Sequence, residues 1–377
     1  MLFMLLPLLL GITLLYALFT LTLWVTWLRM PAFHPPAQAS GHAFITCIIP
    51  VRNEAQNLPH LLHDLNQQTY GRFEVIVADD ASTDTTLALT QAFAREASFS
   101  LRWLSLSDVR TASPKKRAIH QSIELAQGEL IVTTDGDCRV GPRWLETIAA
   151  FYAATQARLI SGPVTFTPEH SVFDYLQTVE GASLIGSGAC TLALGVPTMC
   201  NGANLCYEKR VFQEVGGFAG VDHVASGDDE LLMHKIAGKY PQGLRFLKSP
   251  EAIVQTGPHT SWRAFYNQRK RWASKWRAYQ RYLPTVLAVF IFLSNASVVV
   301  SLISWLANWI DFKGFISVVL LKALPEFLFL RQVLVFLQKK AAVSRIPLTQ
   351  WLYPFYVMFF GLAAQRKGFE WKDRKLK

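Results

Sequence analysis

FEVIVADDASTD, residues 73–84, is an apolar, β-branched run that stops at two adjacent carboxylates and continues into small turn-forming residues. A short apolar run that ends in turn formers is typical of a strand buried on both faces of a sheet. Three further short runs are also interpreted as strands, namely ITCIIPV at 45–51, SLRWLSL at 100–106 and ELIVTTD at 129–135. Helical patterns alternate with these runs and begin near Ala55, Thr83, Lys115 and Pro142. This alternation predicts right-handed β-α-β crossovers and an α/β fold with a mainly parallel sheet.

The N-terminal segment, residues 1–28, contains no charged residue and is long enough to cross a bilayer as a helix. It lacks the basic start and the short apolar core of a secretory signal, so we expect an uncleaved anchor. Arg29 follows this segment, and a positive residue on that flank predicts a cytoplasmic domain attached to the inner membrane. A Pro-rich linker at 29–42 then leads to the predicted α/β domain at 43–256.

Three apolar segments follow near the C-terminus, at about 284–309, 314–337 and 347–364. The middle one indicates either a plain span or a broken or re-entrant element, because it contains Lys322, Pro325, Glu326 and Arg331. Three spans would put the basic tail at 365–377 outside, whereas two would put it inside, where positive residues are more common. The sequence leaves both multi-pass topologies open.

The formal net charge of +10 is concentrated beside apolar segments, at 263–281 and in the tail. We therefore expect membrane lipids as partners and no nucleic acid. The five cysteines form no CxxC pair and no disulfide framework, which is typical of a reducing compartment. With 51% hydrophobic residues, the chain is too apolar for an ordinary soluble enzyme.

Carboxylates follow two of the predicted strands. Asp79 and Asp80 end the second strand, where they can accept hydrogen bonds from a base and a ribose or can form an Asx turn. Asp135 and Asp137 end the fourth strand, with Gly136 between them to let the backbone bend. Two hard oxygen ligands with open positions suit Mg²⁺ or Mn²⁺ held jointly with substrate phosphates.

Two predicted helices begin with charged pairs. Lys115 and Lys116 open one helix, where cations oppose the helix dipole, so phosphate binding explains them better than structure does. A solvated surface pair is the alternative. Asp228 and Asp229 precede another helix and are either helix caps or a general base for an acceptor hydroxyl.

An ordered set of motifs runs through the chain, namely IPVRNE, VADDASTD, SPKKRAI, TTDGD, NGANLCY, GGF, GDDELL and QRKRW. This set resembles the membrane-integrated branch of family 2 glycosyltransferases, which includes cellulose, hyaluronan and poly-N-acetylglucosamine synthases and ceramide glucosyltransferases. The resemblance covers residues from about 44 to 275. It implies a GT-A fold, which is Rossmann-like, and transfer of a sugar from a nucleotide diphosphate, usually UDP, with inversion at the anomeric carbon.

The resemblance also implies roles for the matching residues. Asp229 would be the catalytic carboxylate, beside Asp228, which stands where the family usually has Glu. The metal and the diphosphate would be bound by Asp135 and Asp137. Binding of the nucleotide sugar would involve Asp79, Asp80, Lys115, Asp135 and Arg271. The acceptor would contact Gln268, Trp272 and Asn204.

The QRKRW motif lies in NQRKRWASKWR, residues 267–277, within a predicted amphipathic interfacial region at 257–283. On a helix, one face presents Gln268, Arg271, Trp272 and Lys275. We expect this face to meet the sugar and the diphosphate, through stacking on the indole and paired hydrogen bonds from the guanidinium. The opposite face is predicted to meet lipid head groups and contains Arg269, Lys270 and Arg277.

These observations predict a membrane-bound, inverting hexosyl or N-acetylhexosaminyl transferase that extends a polysaccharide from a UDP-sugar. Addition of a single sugar to a lipid acceptor is the alternative. The apolar segments are too few to form a wide polysaccharide channel, so export would need a homo-oligomer or a partner subunit. A metal-dependent phosphohydrolase would explain the carboxylates and lysines, but it would not explain QRKRW.

Overall fold

The computed structural model describes residues 4–36, 42–107, 111–273, 282–363, 369–371 and 374–376. They form two compact units. An α/β unit contains the described residues of 30–168, 191–258 and 370–377. A helical unit contains those of 1–29, 169–190 and 259–369.

The strands, in chain order, are β1 Ile45–Val51, β2 Phe73–Asp79, β3 Ser100–Ser105, β4 Leu130–Thr133, β5 Cys138–Val140, β6 Leu159–Ser161, β7 Val164–Phe166, β8 Leu205–Glu208, β9 Leu244–Phe246, β10 Val254–Thr256, β11 Phe369–Trp371 and β12 Arg374–Leu376. The α-helices are α1 Leu5–Arg29, α2 Leu58–Asn66, α3 Thr86–Phe93, α4 Pro114–Leu125, α5 Trp144–Thr155, α6 Val172–Ala193, α7 Lys209–Glu214, α8 Glu230–Lys239, α9 Trp262–Ala273, α10 Tyr282–Leu306, α11 Phe312–Phe336 and α12 Ile346–Ala363.

The α/β unit is organised by a seven-stranded sheet with the order β3-β2-β1-β4-β8-β6-β9. Parallel ladders join β1 to β2 and β4, β2 to β3, and β6 to β9, which confirms the mainly parallel sheet. β1 is buried because it is apolar along its length, and Ile45, Cys47, Ile48 and Ile49 are fully buried. The exception is β8, which is antiparallel to both of its neighbours, β4 and β6.

The long helix α6 was not predicted, and it interrupts the predicted continuous domain at 43–256. Its residues 172–190 belong to the helical unit. They pack closely there, because a Cβ added at Gly186 would lie 2.7 Å from a methyl carbon of Val333 in α11. The apolar residues of α6 do not recur at regular helical spacing, so the sequence pattern did not predict this helix.

Two helices in the described part of the chain are long and apolar enough to cross a membrane, Leu5–Arg29 and Pro284–Leu306. Of the two alternatives for the middle C-terminal segment, the structure has an unbroken helix, because α11 continues through Pro325. Its charges pair internally, since the Lys322 ammonium lies 2.5 Å from Glu326 Oε1 and the Tyr16 hydroxyl donates to the same oxygen at 2.6 Å. In the predicted basic tail, the backbones of β11 and β12 form a two-stranded ribbon.

Candidate active site

The site lies in the α/β unit, at the edge where the parallel strands have their carboxyl ends. β8 runs the opposite way, so its first residue, Leu205, pairs with Thr133 at the end of β4. The turn before β8 therefore meets the loop after β4, and the Thr133 hydroxyl donates to the Gly202 carbonyl at 2.7 Å. This reversed strand brings the TTDGD and NGANLCY motifs together.

Lys115, in the first turn of α4, lies between two carboxylates. Its Nζ is 2.7 Å from Asp135 Oδ1 and 3.1 Å from Asp228 Oδ2. Burial alone would lower the pKa of Lys115, but the charges of Asp135, Asp228 and Asp229 together raise it above its usual value. The side chain is therefore a permanent cation that connects the DxD segment with the GDDELL motif.

Asp229 is held by two backbone N–H groups. Gly202 N donates to its Oδ2 at 3.1 Å, and Glu230 N donates to its Oδ1 at 2.6 Å. The predicted cap is thus present at the start of α8, and it also fixes the carboxylate beside Lys115. Space here is tight, because a Cβ on Gly202 would lie 3.0 Å from Asp228 Oδ2 and 3.4 Å from Lys115 Nζ.

The DxD pair offers two carboxylates of different exposure. The Asp135 side chain is 38% exposed, and Asp137 is exposed and accepts a hydrogen bond from the Thr256 hydroxyl at 3.2 Å. Gly136 is required for space, because an added Cβ would lie 2.8 Å from Val51 Cγ1 at the end of β1. Among the described residues no group of three or more His, Cys, Asp or Glu side chains forms a complete metal site. Two solvent-accessible carboxylates fit a divalent cation that takes its remaining ligands from substrate phosphates and water.

The first turn of α4 carries three consecutive cations with different partners. Beside Lys115, the Lys116 ammonium donates to backbone carbonyls between α7 and α8. Arg117 pairs with Asp80, with Nη2 at 2.8 Å from Oδ1. These contacts explain why basic residues are tolerated at a helix start, where the dipole alone disfavours them.

Asp79 and Asp80 are both buried, at 2% exposure each. Asp79 accepts hydrogen bonds from the backbone N–H and the hydroxyl of Ser82, so it forms the Asx turn that was the alternative to nucleotide binding. This use of its carboxylate argues against a direct contact between Asp79 and the donor. Asp80 follows β2 and pairs with Arg117, and its contact with the nucleotide stays a prediction.

Asn204 corrects the predicted acceptor contact. Its side-chain amide donates to the carbonyls of Pro163 and Ala252 at 2.8 Å each and accepts from the Trp144 indole at 3.1 Å. The residue is only 2% exposed. Because both amide hydrogens are used inside the protein, Asn204 stabilises the turn before β8 and does not face an acceptor.

Gln268, Arg271 and Trp272 lie on α9 in the helical unit, whereas the carboxylates and Lys115 lie in the α/β unit. The prediction that Arg269 faces lipid head groups is wrong. Its guanidinium is buried, pairs with Glu180 and lies 4.5 Å from the Trp272 ring centroid. Lys275 and Arg277, from the same predicted faces, lie outside the described residues.

Comparisons with known proteins identify relatives of this chain. Residues 46–215 match the profile described as Glycosyl transferase family 2. The glycosyltransferase AglE of Haloferax volcanii is 28% identical over 196 residues, which cover 49% of this chain and 59% of that protein. A poly-β-1,6-N-acetyl-D-glucosamine synthase of Staphylococcus aureus is 24% identical over 237 residues, covering 61% of this chain and 53% of that protein. The chain thus spans little more than half the length of these curated relatives.

A solved structure shows the same fold along nearly the whole chain. It is a mannosyltransferase from Pyrobaculum calidifontis in complex with GDP-Man and Mn²⁺, with a TM-score of 0.58 and 18% identity. The alignment covers 97% of this chain and 98% of that one. The GT-A-like fold is thereby confirmed, and residues 46–215 are the part of the chain that matches glycosyl transferase family 2.

Proposed function

We propose that this protein is a membrane-bound, inverting glycosyltransferase that transfers a sugar from a UDP-sugar to a growing polysaccharide. The observation that carries the proposal is the bridge that Lys115 makes between Asp135 and Asp228, next to the fixed Asp229. The bridge brings a proposed donor-side carboxylate and a proposed acceptor-side carboxylate within 3.1 Å of one ammonium group. Two relatives with related chemistry support it, since one is named a glycosyltransferase and the other a poly-N-acetylglucosamine synthase.

The charges of the site support a cation-dependent donor. Asp135, Asp137, Asp228 and Asp229 are acidic, while Lys115 supplies a single ammonium, so this cluster repels an anionic diphosphate. Mg²⁺ or Mn²⁺ bound by Asp135 and Asp137 would neutralise the diphosphate and its developing negative charge. The structural relative that contains Mn²⁺ and GDP-Man supports this assignment.

The chain's own residues account for the transfer step. Asp229 takes the proton of the acceptor hydroxyl, whose oxygen forms a bond with the anomeric carbon as the bond to the diphosphate oxygen breaks. The bonding electrons leave with the diphosphate, which Lys115 stabilises together with Arg271. Because the acceptor attacks from the face opposite the leaving group, one displacement inverts the configuration. Proton removal by a positioned carboxylate accelerates such a step by about 10²- to 10⁴-fold.

The acceptor and the membrane complete the proposal. Gln268 and Trp272 are proposed to contact the acceptor, with the indole stacking on a sugar ring. α1 and α10 are proposed to anchor the enzyme in the inner membrane with its α/β unit in the cytoplasm, because both are long and apolar enough to span it. A second copy or a partner subunit would then complete an export path.

Asp229→Asn tests this function in membranes supplied with radiolabelled UDP-sugars and Mn²⁺. We expect donor affinity to stay the same and transfer to fall by about 10²- to 10⁴-fold, because the amide cannot accept the proton. Asp222→Asn is the matched control, since Asp222 is an exposed carboxylate upstream of the same helix. Undiminished turnover in Asp229→Asn would refute the assignment. A product ladder supports polysaccharide extension, whereas one lipid-soluble product would replace it with transfer to a lipid.

A further inference from the structure

The segment between α7 and α8, residues 215–227, leads directly to Asp228 and Asp229 and is called the base loop below. Two ammonium groups hold it. Lys116, from α4, donates to the carbonyls of Val221, Val224 and Ser226 at 2.7, 2.8 and 2.9 Å. Lys235, from α8, donates to Gly217 and Ala219 at 2.6 and 2.9 Å, at the other end of the loop.

Lys116 has the greater need for hydrogen-bond acceptors, because it is only 2% exposed. A buried ammonium is costly unless polar groups replace its water. Here backbone carbonyls do so, and their positions are fixed in return. The last of them, on Ser226, lies two residues before Asp228, where the chain turns through Gly227 at a φ of +82°. The ammonium therefore restrains the backbone immediately upstream of the acidic pair.

Neighbouring residues in one helical turn act on both sides of the site. Lys115 contacts Asp135 and Asp228 directly, while Lys116 fixes the loop that delivers Asp228 and Asp229. The distance between Asp135 and Asp229 is thus restrained through contacts to one helix, α4. Reacting groups lose about 100-fold in rate for a displacement of about 1 Å, so this restraint matters for the rate of transfer.

We propose that Lys116 is a positioning residue that sets the place of Asp229 relative to the donor site. This inference rests on the proposed function. A positioning role predicts a loss in kcat with little change in donor binding, whereas a general structural role would reduce both. It also predicts that the base loop, and not the DxD segment, becomes mobile when the ammonium is removed.

The test compares Lys116→Met, Lys116→Arg and the control Lys235→Met in full-length protein in membranes. For Lys116→Met we expect kcat to fall by about 30- to 100-fold, with UDP affinity and donor KM within about twofold of native. Lys116→Arg keeps the charge and its donors and should regain most of the lost kcat. Lys235→Met should stay within about twofold of native, because Lys235 binds the end of the loop farther from the carboxylates.

Hydrogen exchange of the purified full-length variants gives a readout that is independent of turnover. Amides of residues 219–227 should exchange faster in Lys116→Met, while those of 130–138 should keep their native rates. If Lys116→Met does not fold, the smaller loss that remains in Lys116→Arg should still be confined to kcat. Native kcat in Lys116→Met, or equal losses of kcat and UDP affinity in whichever variant folds, would overturn the inference. Absence of any transfer by the native protein would instead refute the proposed function.

Discussion

Replacing Lys115 with Met removes the ammonium group between Asp135 and Asp228 but keeps an apolar side chain of similar length. In the native protein this group is 2.7 Å from Asp135, so it competes with a divalent cation for that carboxylate. It also attracts the diphosphate of the donor. The variant should therefore bind Mn²⁺ more tightly in the absence of nucleotide and bind UDP more weakly in the presence of Mn²⁺.

The size of both effects follows from the ion pair. Two unit charges about 4 Å apart interact by about 4 kcal/mol at an effective dielectric constant near 20. The Asp135 side chain is 38% exposed, so solvent screening reduces this interaction. A reduction to about 1.4 kcal/mol corresponds to about a tenfold change in each dissociation constant.

Binding of Mn²⁺ to the nucleotide-free protein can be measured by electron paramagnetic resonance, and UDP binding at saturating Mn²⁺ by calorimetry. Lys209→Met is a suitable control, because it removes the same charge from the α/β unit at a lysine that donates to the Ala126 carbonyl at 2.6 Å. Neither affinity should change in the control. A parallel loss of Mn²⁺ and UDP affinity in Lys115→Met, or no change in either, would refute this view of the site.

Two further predictions concern the α/β unit. Asn204→Ala leaves the Trp144 indole and two backbone carbonyls without their partner, so the free energy of unfolding should fall by about 3 to 5 kcal/mol in thermal melts. The rate of transfer per folded molecule should equal that of the native protein. A selective rise in acceptor KM would contradict this and support the predicted contact of Asn204 with the acceptor. Burial raises the pKa of the Cys47 thiol to about 12, so N-ethylmaleimide at pH 8 should label Cys47 only as fast as the sheet unfolds. Rapid labelling in native buffer would contradict this burial.

The sequence was most informative where local pattern and burial agree. β1 and β2 have the predicted bounds. For β2, a continuous apolar run that ends in Asp79 and Asp80 has few alternatives to a buried strand. The sequence also singles out Asp135, Asp137, Asp228, Asp229 and Lys115 as candidate site residues, because strand ends and helix starts mark them. Which of these residues touch could not be predicted, because the reversed β8 decides it and its direction depends on pairing with distant strands.

Other features had no local signal. Lys116 reads like its neighbour Lys115, and only the distant carbonyls of the base loop separate a buried restraint from a site residue. Arg269 was placed on the wrong side of α9, because helical spacing says nothing about Glu180 on α6. Asn204 looked like a ligand group because its polarity is visible in the sequence, whereas its burial is not.

The hydrogen bond from Tyr16 to Glu326 also sets an order of assembly. It joins the first helix of the chain to a residue made 310 positions later. During synthesis, α1 must therefore persist without this partner while the intervening polypeptide leaves the ribosome. Lys322 neutralises Glu326 one turn earlier on the same helix, so α11 reaches α1 without an unpaired charge at this position. Chains that stop before α11 leave the Tyr16 hydroxyl of α1 without this buried acceptor, so the first helix completes its polar contacts only when α11 has been made.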